Sequence, residues 1–379
     1  MAVTTLVGRS VSTGGGIAVD VEGDRITGIS DCAVDPGAPW IVPGFVDLQV
    51  NGFAGHDVNA VMPDAEAIGE ITRELGARGV TTWVPTVITG TEAQICARLD
   101  AVTAAVQSDP VVAAAVPFVH VEGPFLSEFD GPRGVHDRSA VRPIDASEVA
   151  RWATHGRIGY VTLSPHDDAT HEQIAEIVAS GIAVAVGHTH AGPDQIRRAV
   201  DAGATLSTHL GNGIFSELPR HPNAIWAQLA EDRLRCGLIG DGHHLPADAF
   251  TAMARALGPD RAFLVSDAVE LAGAAPGRYR TPVGGEVELT PDGKLEYSDT
   301  GLLAGSAASL ADCVEWVTTA TPIGLAGAVM MATRVPGMII RELTGGAHDA
   351  GRIVPGARAD LVFLDDFGRA IETFRGTDG

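Results

Sequence analysis

Apolar and polar positions alternate in blocks along the middle of the chain. Eight short apolar runs have the length and β-branched content of buried strands: 45–49, 80–84, 115–121, 158–163, 182–187, 204–208, 236–240 and 262–266. Between several of them, at 65–79, 169–181 and 194–203, apolar residues recur every three or four positions and glycine closes the segment, which predicts amphipathic helices. Strands alternating with helices from Phe45 to Asp267 predict an α/β fold, a (β/α)8 barrel of the TIM type. The active site of such a barrel lies at the carboxyl ends of its strands. A doubly wound open sheet is the structural rival, but it would use a switch-point crevice. Polar residues closing the third, fifth, sixth and eighth runs favour the barrel.

The ends of the chain read differently. Residues 1–42 and 351–379 are β-like, with turn signals at Glu22-Gly23-Asp24 and Pro355-Gly356. They predict one small β-sandwich domain built from both termini, beside a barrel spanning 43–350. A further hairpin signal, Pro291-Asp292-Gly293 within 277–300, fits either domain.

A net charge of −22 argues against nucleic acid or an anionic membrane surface as partner, since either needs a clustered basic face. It does not exclude a small anionic substrate, because one local arginine outweighs a distant field across a screened surface. No run is long enough to span a bilayer, and the N-terminus lacks a charged region followed by an apolar one. Cys32, Cys96, Cys236 and Cys313 lie far apart with no metal-binding spacing and are expected to stay reduced, as in a cytoplasmic protein. Lys294 is the only lysine, and it falls in the 277–300 hairpin. The barrel therefore offers no lysine for a Schiff base or a metal-bridging carbamate.

Glu122, His188, His209 and Asp267 each sit just past an apolar run, where ligands lie at a barrel mouth. Any one alone would read as a polar residue satisfied locally; four at consistent depth point to a metal-dependent hydrolase. Glu122, His188 and His209 would hold one divalent ion and leave a position open for water. Zinc suits these donors, and iron, manganese and cobalt can share them. Asp267 would take a proton and later return it to a leaving amine. His120 shares a strand face with Glu122 but lies deeper, as a packing residue would. His190 reads as outside the site, and His243 or His244 should face the mouth. His56, His155, His166, His171 and His348 have surface or structural contexts. The first strand ends in Gln49-Val50-Asn51, where a second metal would need a histidine pair, so one metal is expected.

These motifs resemble the amidohydrolase superfamily and, within it, the N-acetylglucosamine-6-phosphate deacetylases, nearly end to end. The resemblance runs through Pro43-Gly44-Phe45-Val46-Asp47, His120-Val121-Glu122-Gly123-Pro124-Phe125, Gly187-His188-Thr189, Thr208-His209-Leu210, Asp241-Gly242-His243-His244, Ser266-Asp267-Ala268 and Leu303-Ala304-Gly305-Ser306. It implies that Glu122, His188 and His209 bind the metal and that Asp267 is the general base, then acid. It further implies that His136 helps polarise the acetyl carbonyl and that Asn212, the Gly213 amide and His244 hold the sugar phosphate. By the same resemblance Arg220 would be lent to the neighbouring site of a homodimer. The family's His-x-x-Asn-Ala-Met stretch here reads His209-Leu210-Gly211-Asn212-Gly213-Ile214, and Arg220-His221-Pro222-Asn223 replaces the common Arg-Glu-Pro-Gly. The loop between Glu122 and His136 is also longer than the family's usual one, and this loop and the altered stretch after His209 would shape the sugar and phosphate ends of the pocket. Alternatives are deacetylation of another N-acyl amino sugar, phosphorylated or not, and a non-catalytic binding protein that kept the barrel. A cyclic-amide hydrolase is disfavoured by the missing strand-one histidines and strand-four lysine.

Overall fold

The computed structural model describes residues 3–167, 169–281, 285–299 and 301–376. Eight parallel strands form one sheet in strictly sequential order. They are β1 (Phe45–Val50), β2 (Val80–Ile88), β3 (Val119–Glu122), β4 (Ile158–Leu163), β5 (Ala183–Val186), β6 (Leu206–Ser207), β7 (Arg235–Ile239) and β8 (Ala262–Val265). The ring closes just past the ends of β1 and β8. There the Asp267 N–H donates to the Gln49 carbonyl at 3.0 Å and the Asn51 N–H to the Ala268 carbonyl at 2.8 Å.

Strand alternation sorts the side chains. Val121, Val161, Leu163, Val184 and Val186 pack outward under the helices. Val46, Leu48, Tyr160, Ala185 and Phe263 fill the interior, and Val335, Ile339 and Ile340 of helix Arg334–Leu343 stop its lower end. The predicted helices appear as Ala65–Ala77, Thr170–Ala179 and Pro193–Asp201. Helix Glu92–Ser108 was not evident from the sequence because its stripe is interrupted by Arg98. That side chain is buried and donates to the Ile88 and Asn59 carbonyls at 3.1 and 2.9 Å. Among the described residues no helix is long and apolar enough to cross a membrane.

Both termini enter a single six-stranded sheet, in the order 370–374, 361–364, 40–43, 3–10, 16–22, 25–32. The sheet curls round its own core of Val19, Val21, Ile26, Ile41, Leu361 and Phe363. Ile26 on the far strand donates to Ala357 at 3.0 Å and accepts from Gly356 at 2.8 Å, so the curl brings the edge back toward the C-terminal segment. Residues 277–281, 285–289 and 295–297 form a separate antiparallel sheet turning at Pro291-Asp292-Gly293. It belongs to the barrel mouth, where Leu295 and Tyr297 wall the central cavity.

Candidate active site

The backbone marks the site before any side chain does. His188, His209 and Asp267 have φ of 45°, 28° and 51°, three of the four non-glycine residues with positive φ among those described. Each follows a barrel strand and turns its side chain into the mouth. Left-handed backbone at a non-glycine residue costs about 1–3 kcal/mol and persists only where the surroundings over-determine it. Around His188 they do: a Cβ on the preceding Gly187 would lie 2.8 Å from both Thr162 Cγ2 and Thr208 Cβ.

Glu122, His188 and His209 converge. His209 Nε2 lies 3.1 Å from Glu122 Oε1, His188 Nε2 lies 3.3 Å from the same oxygen, and the two Nε2 atoms are 3.0 Å apart. His188 Nδ1 donates to the Pro132 carbonyl at 2.8 Å. A carbonyl can only accept, so the ring carries its proton on Nδ1 and presents a lone pair at Nε2. Burial opposes ionisation of Glu122, yet the imidazoles of His188 and His209 packed against its oxygen outweigh it and hold the carboxyl well below its usual range. One carboxylate oxygen and two imidazole nitrogens, all buried, form a donor set that could hold a divalent metal.

Asp267 stands beside this cluster, and burial together with the Glu122 charge pushes its carboxyl up to about 6. Its Oδ1 accepts from Asn51 Nδ2 at 2.7 Å and from Gln49 Nε2 at 3.0 Å, and Gln49 Nε2 also reaches Glu122 Oε1 at 3.0 Å. Gln49 and Asn51, read in the sequence only for the absence of a histidine pair, are thus part of the site. Their place at the end of β1, level with the other strand-end residues, was the available signal.

A cavity of about 250 Å³ opens onto Glu122, His136, His188, His209, His244 and Asp267. His136 Nε2 lies 3.3 Å from His188 Nε2, and its Nδ1 contacts Thr89 Oγ1 at 2.9 Å. Burial, with His188 adding to it, drives the His136 pKa down to about 3, so the ring is neutral. Asn212 and Gly213 line the same cavity, and Asn212 Nδ2 is buried without a partner among the described residues. His244 is held through Nδ1 by Asp241 Oδ2 at 2.6 Å. His243 instead donates to the Asp292 carbonyl at 3.0 Å, tying the small mouth sheet to the barrel. His120 lies beneath the site, stacked on Tyr160 at 4.1 Å and bonded to Thr162 Oγ1 at 2.7 Å. His190 does not line this cavity, and its Nδ1 lies on Ser127 Oγ at 2.7 Å. Arg220 is exposed on the loop ahead of helix Ala224–Leu229 and does not line its own chain's cavity. Among the described residues the cavity lining contains no arginine or lysine, and it carries the carboxylates Asp57, Glu122, Asp267 and Glu270.

No protein-family model matches the chain. The N-acetylgalactosamine-6-phosphate deacetylase of Shewanella sp. (strain ANA-3) is 33% identical to it over 335 residues, covering 87% of this chain and 80% of that protein. The mouse (Mus musculus) N-acetylglucosamine-6-phosphate deacetylase is 33% identical over 351 residues, covering 89% and 82%. Among solved structures, a Mycobacterium smegmatis N-acetyl-D-glucosamine-6-phosphate deacetylase variant in complex with N-acetyl-D-glucosamine-6-phosphate superposes with a TM-score of 0.84. It is 28% identical and covers 96% of this chain and 94% of that one.

Proposed function

Because the chain belongs to the N-acetylglucosamine-6-phosphate deacetylase family of the amidohydrolase superfamily, we propose that it hydrolyses the acetamide of N-acetylglucosamine 6-phosphate to glucosamine 6-phosphate and acetate. The convergence of Glu122 Oε1, His188 Nε2 and His209 Nε2 beside Asp267 carries this reading. Two observations test the fit to a cation. His188 turns a lone pair toward the centre, and His209 Nδ1 is buried without a partner among the described residues, so neither ring is fully satisfied by them alone. The nitrogen and oxygen donors favour zinc, one ion per chain, since amides stand at β1 where a second ion would need histidines. When bound, such an ion supplies Lewis acidity, activating water and polarising the acetyl carbonyl near neutral pH.

The remaining chemistry falls to this chain's own residues. Asp267 takes the proton released from water and returns it to the departing amine. Neutral His136, beside His188, offers a hydrogen-bonding group to the acetyl oxygen. Asn212 Nδ2 supplies a donor to the sugar phosphate, with the Gly213 amide and His244 nearby. Among the described residues the cavity lining offers no arginine or lysine to balance a dianion, so a cation from elsewhere would have to do so. We propose that Arg220 from a second copy of the chain supplies it, in a homodimer.

The 4-epimer, N-acetylgalactosamine 6-phosphate, has support of equal weight from the Shewanella relative. A non-catalytic binding protein is disfavoured, because the metal-ligand set and Asp267 are all retained. Free-amine release from N-acetylglucosamine, N-acetylgalactosamine and N-acetylmannosamine, each with and without the 6-phosphate, decides among these. The reading requires a phosphorylated substrate to be preferred; preference for an unphosphorylated sugar overturns the phosphate assignment.

A further inference from the structure

Gln49 and Asn51 close β1 with two amide groups aimed at one carboxylate oxygen. Asn51 Nδ2 lies 2.7 Å and Gln49 Nε2 lies 3.0 Å from Asp267 Oδ1. Gln49 Nε2 is also 3.0 Å from Glu122 Oε1. An amide NH2 has two hydrogens and no acceptor capacity, so Gln49 can give one hydrogen to each carboxylate. Its side chain is sealed in, with the residue 2% exposed, and cannot relax toward solvent. The backbone makes the same junction rigid, through the Asp267 N–H on the Gln49 carbonyl and the Asn51 N–H on the Ala268 carbonyl. Asp267 Oδ2, by contrast, has no hydrogen-bond partner among the described residues, and Asp267 lines the cavity.

We infer that Gln49 and Asn51 are positioning residues that saturate Oδ1 of Asp267 and leave Oδ2 as the one atom that carries the proton. The inference rests on the acid–base role proposed for Asp267. In the step it serves, Oδ2 takes one proton from water as the water oxygen bonds to the acyl carbon. The same proton passes to nitrogen as the C–N bond breaks. Asp267 is restored as a carboxylate, the amine leaves neutral, and the second water proton departs with the acetic acid. A carboxylate held by one oxygen presents the other in a fixed direction, and a misplacement of about 1 Å at such a point can cost on the order of a hundredfold. An ionised aspartate or glutamate at either position could not donate and would repel Asp267.

The test compares Asn51→Ala and Gln49→Met with the parent, each alone and in an Asp267→Asn background. Steady-state kinetics on N-acetylglucosamine 6-phosphate and metal content after dialysis are the readouts. A hydrogen bond to a charged group is worth about 1.5–3 kcal/mol, which sets the expectation. Each single variant should lose about ten- to hundredfold in kcat, keep KM within about twofold, and retain the parent's metal-to-protein ratio. In the Asp267→Asn background Asn51→Ala should cost less than about twofold more, because the carboxylate it positions is gone, and Gln49→Met, which also loses its bond to Glu122, should cost less there than it does alone. Equal losses in both backgrounds, or a change confined to KM, overturn the inference. A silent Asn51→Ala beside an inactive Asp267→Asn sinks this inference alone, whereas near-normal turnover by Asp267→Asn sinks the acid–base reading and this inference together. Should Asn51→Ala fail to fold, Gln49→Met removes an independent donor to the same oxygen and carries the comparison.

Discussion

Gly123→Ala should be among the most damaging small changes to this fold. Gly123 follows Glu122 directly and has φ of +86°. A Cβ there would lie 2.1 Å from Thr89 Oγ1 and 3.0 Å from Leu126 Cδ1. Thr89 is not free to move away, because its Oγ1 contacts His136 Nδ1 at 2.9 Å. Two costs add: about 1–2 kcal/mol for left-handed backbone at an L-residue, and about 1–3 kcal/mol for overpacking. Their sum is about 2–5 kcal/mol. Gly181→Ala is the matched control, with φ of +85° and nothing within 4 Å of its Cβ position. It should lose only the backbone part, and the gain from a stiffer unfolded chain is common to both and cancels. Chemical denaturation of both variants at matched metal loading gives the difference, predicted at about 1–3 kcal/mol. A drop in metal affinity is expected for Gly123→Ala alone. Equal destabilisation of the two variants would refute the steric account of the Glu122-Gly123 turn.

His188→Ala should abolish metal retention after dialysis while leaving far-ultraviolet circular dichroism near that of the parent; a retained stoichiometric ion would contradict the ligand assignment. Arg220→Ala should raise KM for the 6-phosphate substrate far more than for the unphosphorylated sugar, and equal effects on both would remove the arginine from phosphate recognition. Asp47 is fully buried, with Oδ2 unpartnered among the described residues, and burial pushes its carboxyl up to about 7 despite hydrogen bonds from Ser266 and Gln49. Its folded pKa exceeds the unfolded value of about 4, so the stability it contributes is complete below about pH 4 and is lost as pH rises toward about 7. Asp47→Asn should therefore gain thermal stability relative to the parent between pH 5 and pH 8, and an unchanged difference at the two pH values would show the group does not titrate there.

The barrel was legible because strands buried on both faces read as continuous apolar runs, and a polar residue closing such a run stands out. Glu122, His188, His209 and Asp267 were found that way, and the structure brings them together. What the local pattern cannot carry is pairing across distance. The bonds from Gln49 and Asn51 to Asp267 join residues 218 and 216 positions apart, and they exist only once β1 meets β8. Helix Gly324–Ala332 shows a different limit: its sequence, GLAGAVMMA, is apolar or small on every side and gives no period. The curled terminal sheet was legible as two β-like ends, but its strand order depends on Leu361–Leu364 pairing antiparallel with Trp40–Pro43. The left-handed backbone at His188, His209 and Asp267 is not legible in the sequence, since glycine is the residue such conformations ordinarily select and the enrichment of aspartate and histidine there is too weak to mark single positions.

The central claim is that a metal held by Glu122, His188 and His209 makes this cavity an amino-sugar-phosphate deacetylase. Acetate release from N-acetylglucosamine 6-phosphate, measured on the same preparation as isolated, after chelation and after adding back one equivalent of zinc, tests it most directly. The account predicts steady acetate production, its loss on chelation, and its recovery at about one ion per chain. Undiminished turnover by the stripped protein, or no acetate from the zinc-loaded one, would contradict it.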